Sequence, residues 1–129
     1  MMPMTLTKQE WIIMETLWNQ SPLFLSQIID RMKSMVDWNS SSYLTYLKRM
    51  TDKGYIGFDT ISGNRCYYPV LQREDCIENE SRYILSKLTD RSKHLLLASM
   101  IQHSGLNQTE KAELRGLIDS LGGDSSKEE

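Results

Sequence analysis

The chain has 129 residues, 40 % hydrophobic and 25 % charged, which suits one soluble domain or one small domain with an oligomerisation segment. Its net charge of −2, from 15 Lys/Arg and 17 Asp/Glu, excludes a uniformly basic surface. No apolar run approaches the roughly 18 residues of a membrane span, and the N-terminus "MMPMTLTKQEW" lacks the basic start and apolar core of a signal peptide. A cytoplasmic chain without membrane insertion is expected.

The charge is unevenly spread. Residues 1–70 carry seven Lys/Arg against six Asp/Glu, a balance of +1, and residues 71–129 carry eight against eleven, a balance of −3. Four cations of the first part, Lys48, Arg49, Lys53 and Arg65, are clustered, with Asp52 and Asp59 as nearby acids. A local basic footprint is what phosphate binding needs. Cys66 and Cys76 form no CxxC motif, and His94 and His103 stand apart. The thiols read as buried or bystander groups in a reducing compartment, so no metal and no cofactor are expected.

In chain order, Thr7 followed by Glu10 fits a capping box. Trp11, Met14, Leu17 and Trp18 then form one apolar stripe of a first helix, which "NQSP" ends. A second helix is expected over about residues 25–35, with Ile28, Ile29 and Met32 facing the core.

The third helix lies in "WNSSSYLTYLKRMTDKGY". Asn39 or Ser40 can cap it. At about 100° per residue, Tyr43, Tyr46, Leu47 and Met50 fall within about 60° of one direction and form the buried stripe. The opposite side carries Ser41, Thr45, Lys48 and Asp52, flanked by Ser42 and Arg49, with Leu44 on the boundary. Gly54 suits the left-handed residue that ends a helix.

Two β-rich runs follow, "YIGFDTI" and "CYYPV", separated by "SGNR". Gly63-Asn64 suits a tight turn with positive φ, placing Arg65 at the hairpin tip. The remaining patterns are helical, over about residues 74–88, 90–102 and 108–121, the last with Asn107 as N-cap and Glu110 three residues on. Three short helices without a sheet make a poor core of their own. The middle one, with Leu95-Leu96-Leu97 and Met100-Ile101, is apolar over much of its circumference, so it is expected to bury that surface against a second copy.

The order of elements specifies a mainly α protein with a small β-hairpin wing: a winged helix-turn-helix domain (1–71), a three-helix dimerisation domain (72–121) and a disordered tail (122–129). In this arrangement the third helix, about residues 40–53, enters the major groove and the wing lies on the DNA backbone. Small hydroxyls at the start of that helix permit close approach to base edges, and longer cations reach phosphates further along. The residues expected on DNA are Ser41, Ser42, Leu44, Thr45, Lys48, Arg49, Asn64 and Arg65. Those expected at the dimer interface are Leu85, Leu88, Leu95, Leu96, Met100, Leu114, Leu117, Ile118 and Leu121.

Five segments strengthen this reading: "LTKQEWIIMETLW" at 6–18, "DW" at 37–38, "TYLKRMTDKGYI" at 45–56, "YYPV" at 67–70 and "LNQTEKAELRGLI" at 106–118. With them the chain resembles the penicillinase-repressor family of winged-helix regulators, the BlaI/MecI type, over nearly its whole length. The resemblance implies a homodimeric repressor of palindromic double-stranded operator DNA. It also implies a regulatory protease or membrane sensor as the partner that relieves repression by cleavage in the dimerisation helices. The chain departs from the pattern at three places. Ser42-Tyr43 stands where members usually carry Thr followed by Val or Ile, and Leu44 where many carry a polar or basic residue. Ser99-Met100 stands where antibiotic-responsive members carry an Asn-Phe cleavage bond, which argues against induction by that route. No cysteine follows Cys76, which argues against the cysteine cluster of the copper-responsive branch.

The competing reading is a winged-helix module that binds protein rather than DNA. It would use exposed apolar residues such as Leu44 and would not retard DNA at low salt. No nucleophile–base pair, carboxylate dyad, phosphate loop or metal-ligand spacing points to an enzyme.

Overall fold

The computed structural model describes residues 5–127, with side chains through Leu121. The chain forms two compact units, the first ending at Ser86 and the second starting at Lys87. The first contains α1 (Lys8–Asn19), β1 (Leu23–Phe24), α2 (Leu25–Met32), α3 (Ser40–Asp52), β2 (Ile56–Ile61), β3 (Asn64–Pro69) and α4 (Arg73–Leu85). The second contains α5 (Asp90–His103) and α6 (Gln108–Lys127). Among the described residues, no helix is long and apolar enough to cross a membrane.

α1 starts where its capping box predicts. Thr7 N–H donates to Glu10 Oε1 at 2.9 Å, and Glu10 N–H donates to Thr7 Oγ1 at 3.1 Å. Its buried face is turned from the expected stripe. Ile13, Met14 and Leu17 are fully buried, whereas Trp11 and Trp18 lie half-buried at the rim, edge-on at 5.9 Å. An indole carries an N–H that needs a partner, so a rim position suits it. Trp18 Nε1 donates to the Leu71 carbonyl at 2.8 Å.

α2 stops at Met32, short of the expected residue 35; Met35 and Val36 N–H instead bond the Met32 carbonyl in a closing turn. Ile28 and Met32 are fully buried and Ile29 only half. α3 is capped by Asn39, whose Oδ1 accepts the Ser42 N–H at 2.9 Å. Its buried stripe follows the wheel: Tyr43, Leu47 and Met50 are in the core and Tyr46 is half-buried.

The sheet is antiparallel in the order β1-β3-β2. β1 is absent from the sequence reading. Two residues carry no period, and this strand exists because Leu23 pairs with Tyr67 and Phe24 with Cys66 on the free edge of β3. The hairpin turn also sits one residue earlier than expected. Ile61 pairs with Asn64, so the loop is Ser62-Gly63, with φ of 52° and 82°. A two-residue loop with both φ positive matches the right-handed twist of its strands. Asn64 therefore opens β3, and Arg65 lies on the strand opposite Thr60 rather than at the tip.

α4 belongs to the first unit, whereas the sequence division put everything after residue 71 in the second. Cys76 is buried in the common core, and Arg73 reaches back to α1, bonding Glu15 Oε1 and Asn19 Oδ1 at 2.9 Å each. Leu88 falls in the joint after α4 rather than on it. Both cysteines are free and buried, and burial, with Asp75 nearby, pushes the Cys76 thiol above its ordinary value. In the second unit Asn107 and Glu110 form the expected reciprocal cap, at 3.1 and 2.8 Å. α6 continues past its expected end at Leu121 to Lys127; residues 128–129 of the expected tail lie outside the described residues.

One buried charge ties the N-terminal half together. Glu10 is 4 % exposed, and its Oε2 accepts Lys53 Nζ at 2.8 Å. Burial alone would raise the carboxyl's pKa; the Lys53 ammonium and the Thr7 amide outweigh it and hold the group below its ordinary 4.5. A carboxylate whose folded pKa is depressed contributes stability above its unfolded pKa, and that contribution is lost as pH falls through the folded value. The stability gap between the natural chain and Glu10→Gln should therefore be widest near neutrality and narrow below about pH 4.5, read by urea unfolding at stepped pH. A gap that stays constant down to about pH 3 would show that the carboxylate's charge is immaterial.

Candidate nucleic-acid interface

The exposed side of α3 runs Ser41, Leu44, Thr45, Lys48, Arg49 and Asp52. Its chemistry is set locally. Ser41 Oγ donates to Asn39 Oδ1 at 2.7 Å, and Thr45 Oγ1 donates to the Ser41 carbonyl at 2.8 Å. A hydroxyl has one proton and two lone pairs. With both protons used internally, these groups present acceptors outward, together with the Thr45 methyl. Ser42 is half-buried at the flank. Leu44 is 48 % exposed, a large apolar side chain on an otherwise polar face.

The clustered cations separate by role. Lys53 is held by Glu10. Lys48 is paired across one helical turn with Asp52 at 3.0 Å, both ends well exposed, a pair of the kind worth little. Arg49 has no ion-pair partner among the described residues. Arg65 lies over the Phe58 ring, 4.2 Å from its centroid, and that ring packs on Tyr67. Phe58, Arg65 and Tyr67 share one face of the hairpin, because positions two apart on a strand point the same way.

That hairpin face opens onto α3. A depression of about 530 Å³ is lined by Leu44 of α3, Gly63, Asn64, Arg65 and Tyr67 of the wing, and Phe24, Leu25 and Ser26 at the start of α2. Three of the sequence-predicted residues, Leu44, Asn64 and Arg65, thus meet in one concavity, with Ser41, Thr45, Lys48 and Arg49 on the helix that forms one of its walls. Ser26 was not foreseen. Its only sequence signal is a hydroxyl in a first helical turn, and its neighbours come from elements far along the chain.

With this geometry in hand, the comparison with known proteins is direct: the family model described as penicillinase repressor matches residues 6–120. The chain belongs to the penicillinase repressor family. It is therefore a member of a regulatory, DNA-binding family of transcriptional repressors and not of an enzyme family. An uncharacterised 16.5 kDa protein in the ptsI 3′ region of Latilactobacillus sakei is 24 % identical over 113 residues, 88 % of this chain and 77 % of that one.

The second unit consists of α5 and α6. α5 buries none of its residues in the single chain. Of the expected interface positions, Leu95, Met100, Leu117, Ile118 and Leu121 are exposed, and Leu85, Leu88, Leu96 and Leu114 half-buried. Leu97 and Ile101, part of the same apolar run of α5, are exposed as well, Ile101 the less so. Ile101, Leu114 and Ile118 line an apolar hollow of about 230 Å³ with Lys111 and Arg115. Ser99-Met100 lies inside α5, on hydrogen-bonded helix.

Proposed function

We propose that this penicillinase-repressor member acts as a homodimer on palindromic operator DNA, with α3 in the major groove, the wing on the sugar–phosphate backbone, and α5 and α6 holding the two copies together. The observation that carries the reading is the meeting of Leu44 with Asn64 and Arg65 around one depression beside the exposed row of α3. A helix start bare of acids, next to a guanidinium and an amide, suits an anionic backbone, and the hydroxyl row suits base edges. With their protons engaged, Ser41 and Thr45 would accept from amino groups, which adenine and cytosine display in the major groove. Leu44 and the Thr45 methyl would meet a thymine methyl or a sugar. Ser42, Lys48 and Arg49 complete the expected contact set. Exposed apolar surface on α5 and α6 supports the dimer.

The two kinds of contact separate by salt. Arg65→Ala should weaken every duplex alike and reduce the slope of log affinity against log salt by about one. Leu44→Ala should leave the slope unchanged and alter which base pair is preferred at one position, worth about 1–3 kcal/mol of discrimination. Gel retardation of a selected palindrome between about 50 and 200 mM salt reads both. No retardation by the unmodified protein at the lower salt would favour a protein partner for this surface.

A further inference from the structure

We infer that Glu10 is a positioning residue for DNA recognition, acting through Lys53 to set the seat of α3 and the wing against α1. This deepens the reading above and rests on it. The Glu10 carboxylate is divided between two tasks. Oε1 accepts the Thr7 N–H and closes the first turn of α1, and Oε2 accepts the Lys53 ammonium 43 residues along the chain. Lys53 is the C-cap residue of α3, its own N–H bonding the Arg49 carbonyl at 2.9 Å. The ammonium also lies 5.4 Å from the centre of the Tyr55 ring. Tyr55 is the root of the wing: its carbonyl accepts from Val70 and Leu71, and its N–H bonds the Met50 carbonyl. One cation therefore clasps α1, the end of α3 and the base of the hairpin, with Gly54 at φ 82° turning the chain between the last two.

Stability alone does not call for a charge here. A carboxylate taken out of water carries a large desolvation cost, and an apolar contact of similar volume commonly does as well or better. What the ion pair adds is a choice of partner, since a carboxylate this buried is satisfied only where a cation meets it. Lys48 and Arg49 lie one turn before Lys53, and Arg65 lies on the hairpin that Tyr55 begins. Their reach toward a duplex depends on where this joint is held.

The test separates this role from two others, a phosphate contact by Lys53 and a merely structural pair. The full-length protein is titrated across salt with the duplex it selects from a random-sequence pool and with a scrambled duplex of the same composition. Glu10→Gln keeps a residue able to close the capping box and removes only the charge. Glu10→Gln and Lys53→Met should each lower the selected-to-scrambled affinity ratio by about tenfold, the worth of one lost base contact. The double variant should lose no more than either single, because the two act as a unit. Lys53→Arg, which keeps the pair, should retain the ratio and also answers for any variant that fails to fold. The salt slope should not change. A slope reduced by about one in Lys53→Met but not in Glu10→Gln would make Lys53 a phosphate contact and overturn the inference. Equal weakening on both duplexes, or none on either, would overturn it too. If the unmodified protein selects no sequence, the underlying reading falls and this one with it.

Discussion

Replacing Ile118 with aspartate is expected to convert the protein to a monomer and to weaken binding to a palindrome by about a hundredfold, with the winged-helix unit still folded. Ile118 is 51 % exposed on α6 and lines the apolar hollow with Ile101 and Leu114. α5 contributes Leu95, Leu97 and Met100 to the uncovered surface, and buries nothing of its own. Two helices with this much bare apolar side chain gain stability by association, at about 25 cal/mol for each Å² removed from water. An unpaired carboxylate in such a contact costs several kcal/mol, enough to undo it. Two linked half-site contacts exceed either alone by about 10²–10⁴ through effective concentration, and a monomer loses that factor. Sedimentation equilibrium with gel retardation on full and half sites reads both effects. A variant that stays dimeric, or a monomer that binds the palindrome undiminished, would sink the dimer proposed here.

The second large effect is in the core of the recognition unit. Tyr43→Ala should cost about 3–5 kcal/mol of unfolding free energy, a large part of the 5–15 kcal/mol typical of a domain. Tyr43 is 2 % exposed. Trp38 meets it edge-on at 5.1 Å and lies stacked on Tyr46 at 4.7 Å. The three rings pin the first turns of α3, where Ser41, Ser42 and Leu44 reside. Removing the Tyr43 ring leaves a cavity and takes away one of the two rings that hold Trp38, so DNA binding should fall together with stability. Tyr43→Phe, which keeps the ring volume, should cost under about 1.5 kcal/mol. Urea unfolding followed by tryptophan fluorescence compares the two. A loss under about 1 kcal/mol for Tyr43→Ala would mean that the aromatic cluster does not hold the helix. The bulky Tyr43 is thus accommodated beside Trp38.

Local chemistry was legible in the chain itself. The Thr7–Glu10 and Asn107–Glu110 caps, the buried stripe of α3 and the two strands of the wing all depend on residues within one or two turns of each other, so spacing alone reveals them. The same holds for the order of helices and hairpin that defines the winged-helix fold. Even the open choice of cap for α3 needed only geometry within three residues, and Asn39 took it.

What the sequence could not show depends on which surfaces meet. β1 has no pattern of its own and is a strand only because β3 offers an unpaired edge. The turn moved to Ser62-Gly63 because the pairing register, not glycine's position by itself, decides which residues take positive φ. α4 joined the first unit because Arg73 and Cys76 find α1 and the core, while the helical pattern after residue 70 is uniform. Lys53 looked like one more cation of a basic patch; folding set it against a carboxylate 43 residues away. Capping and periodicity are properties of near neighbours and can be read along the chain. The partner of a charge, and the edge a strand finds, follow from long-range packing that brings distant residues within about 3 Å, the reach of a hydrogen bond.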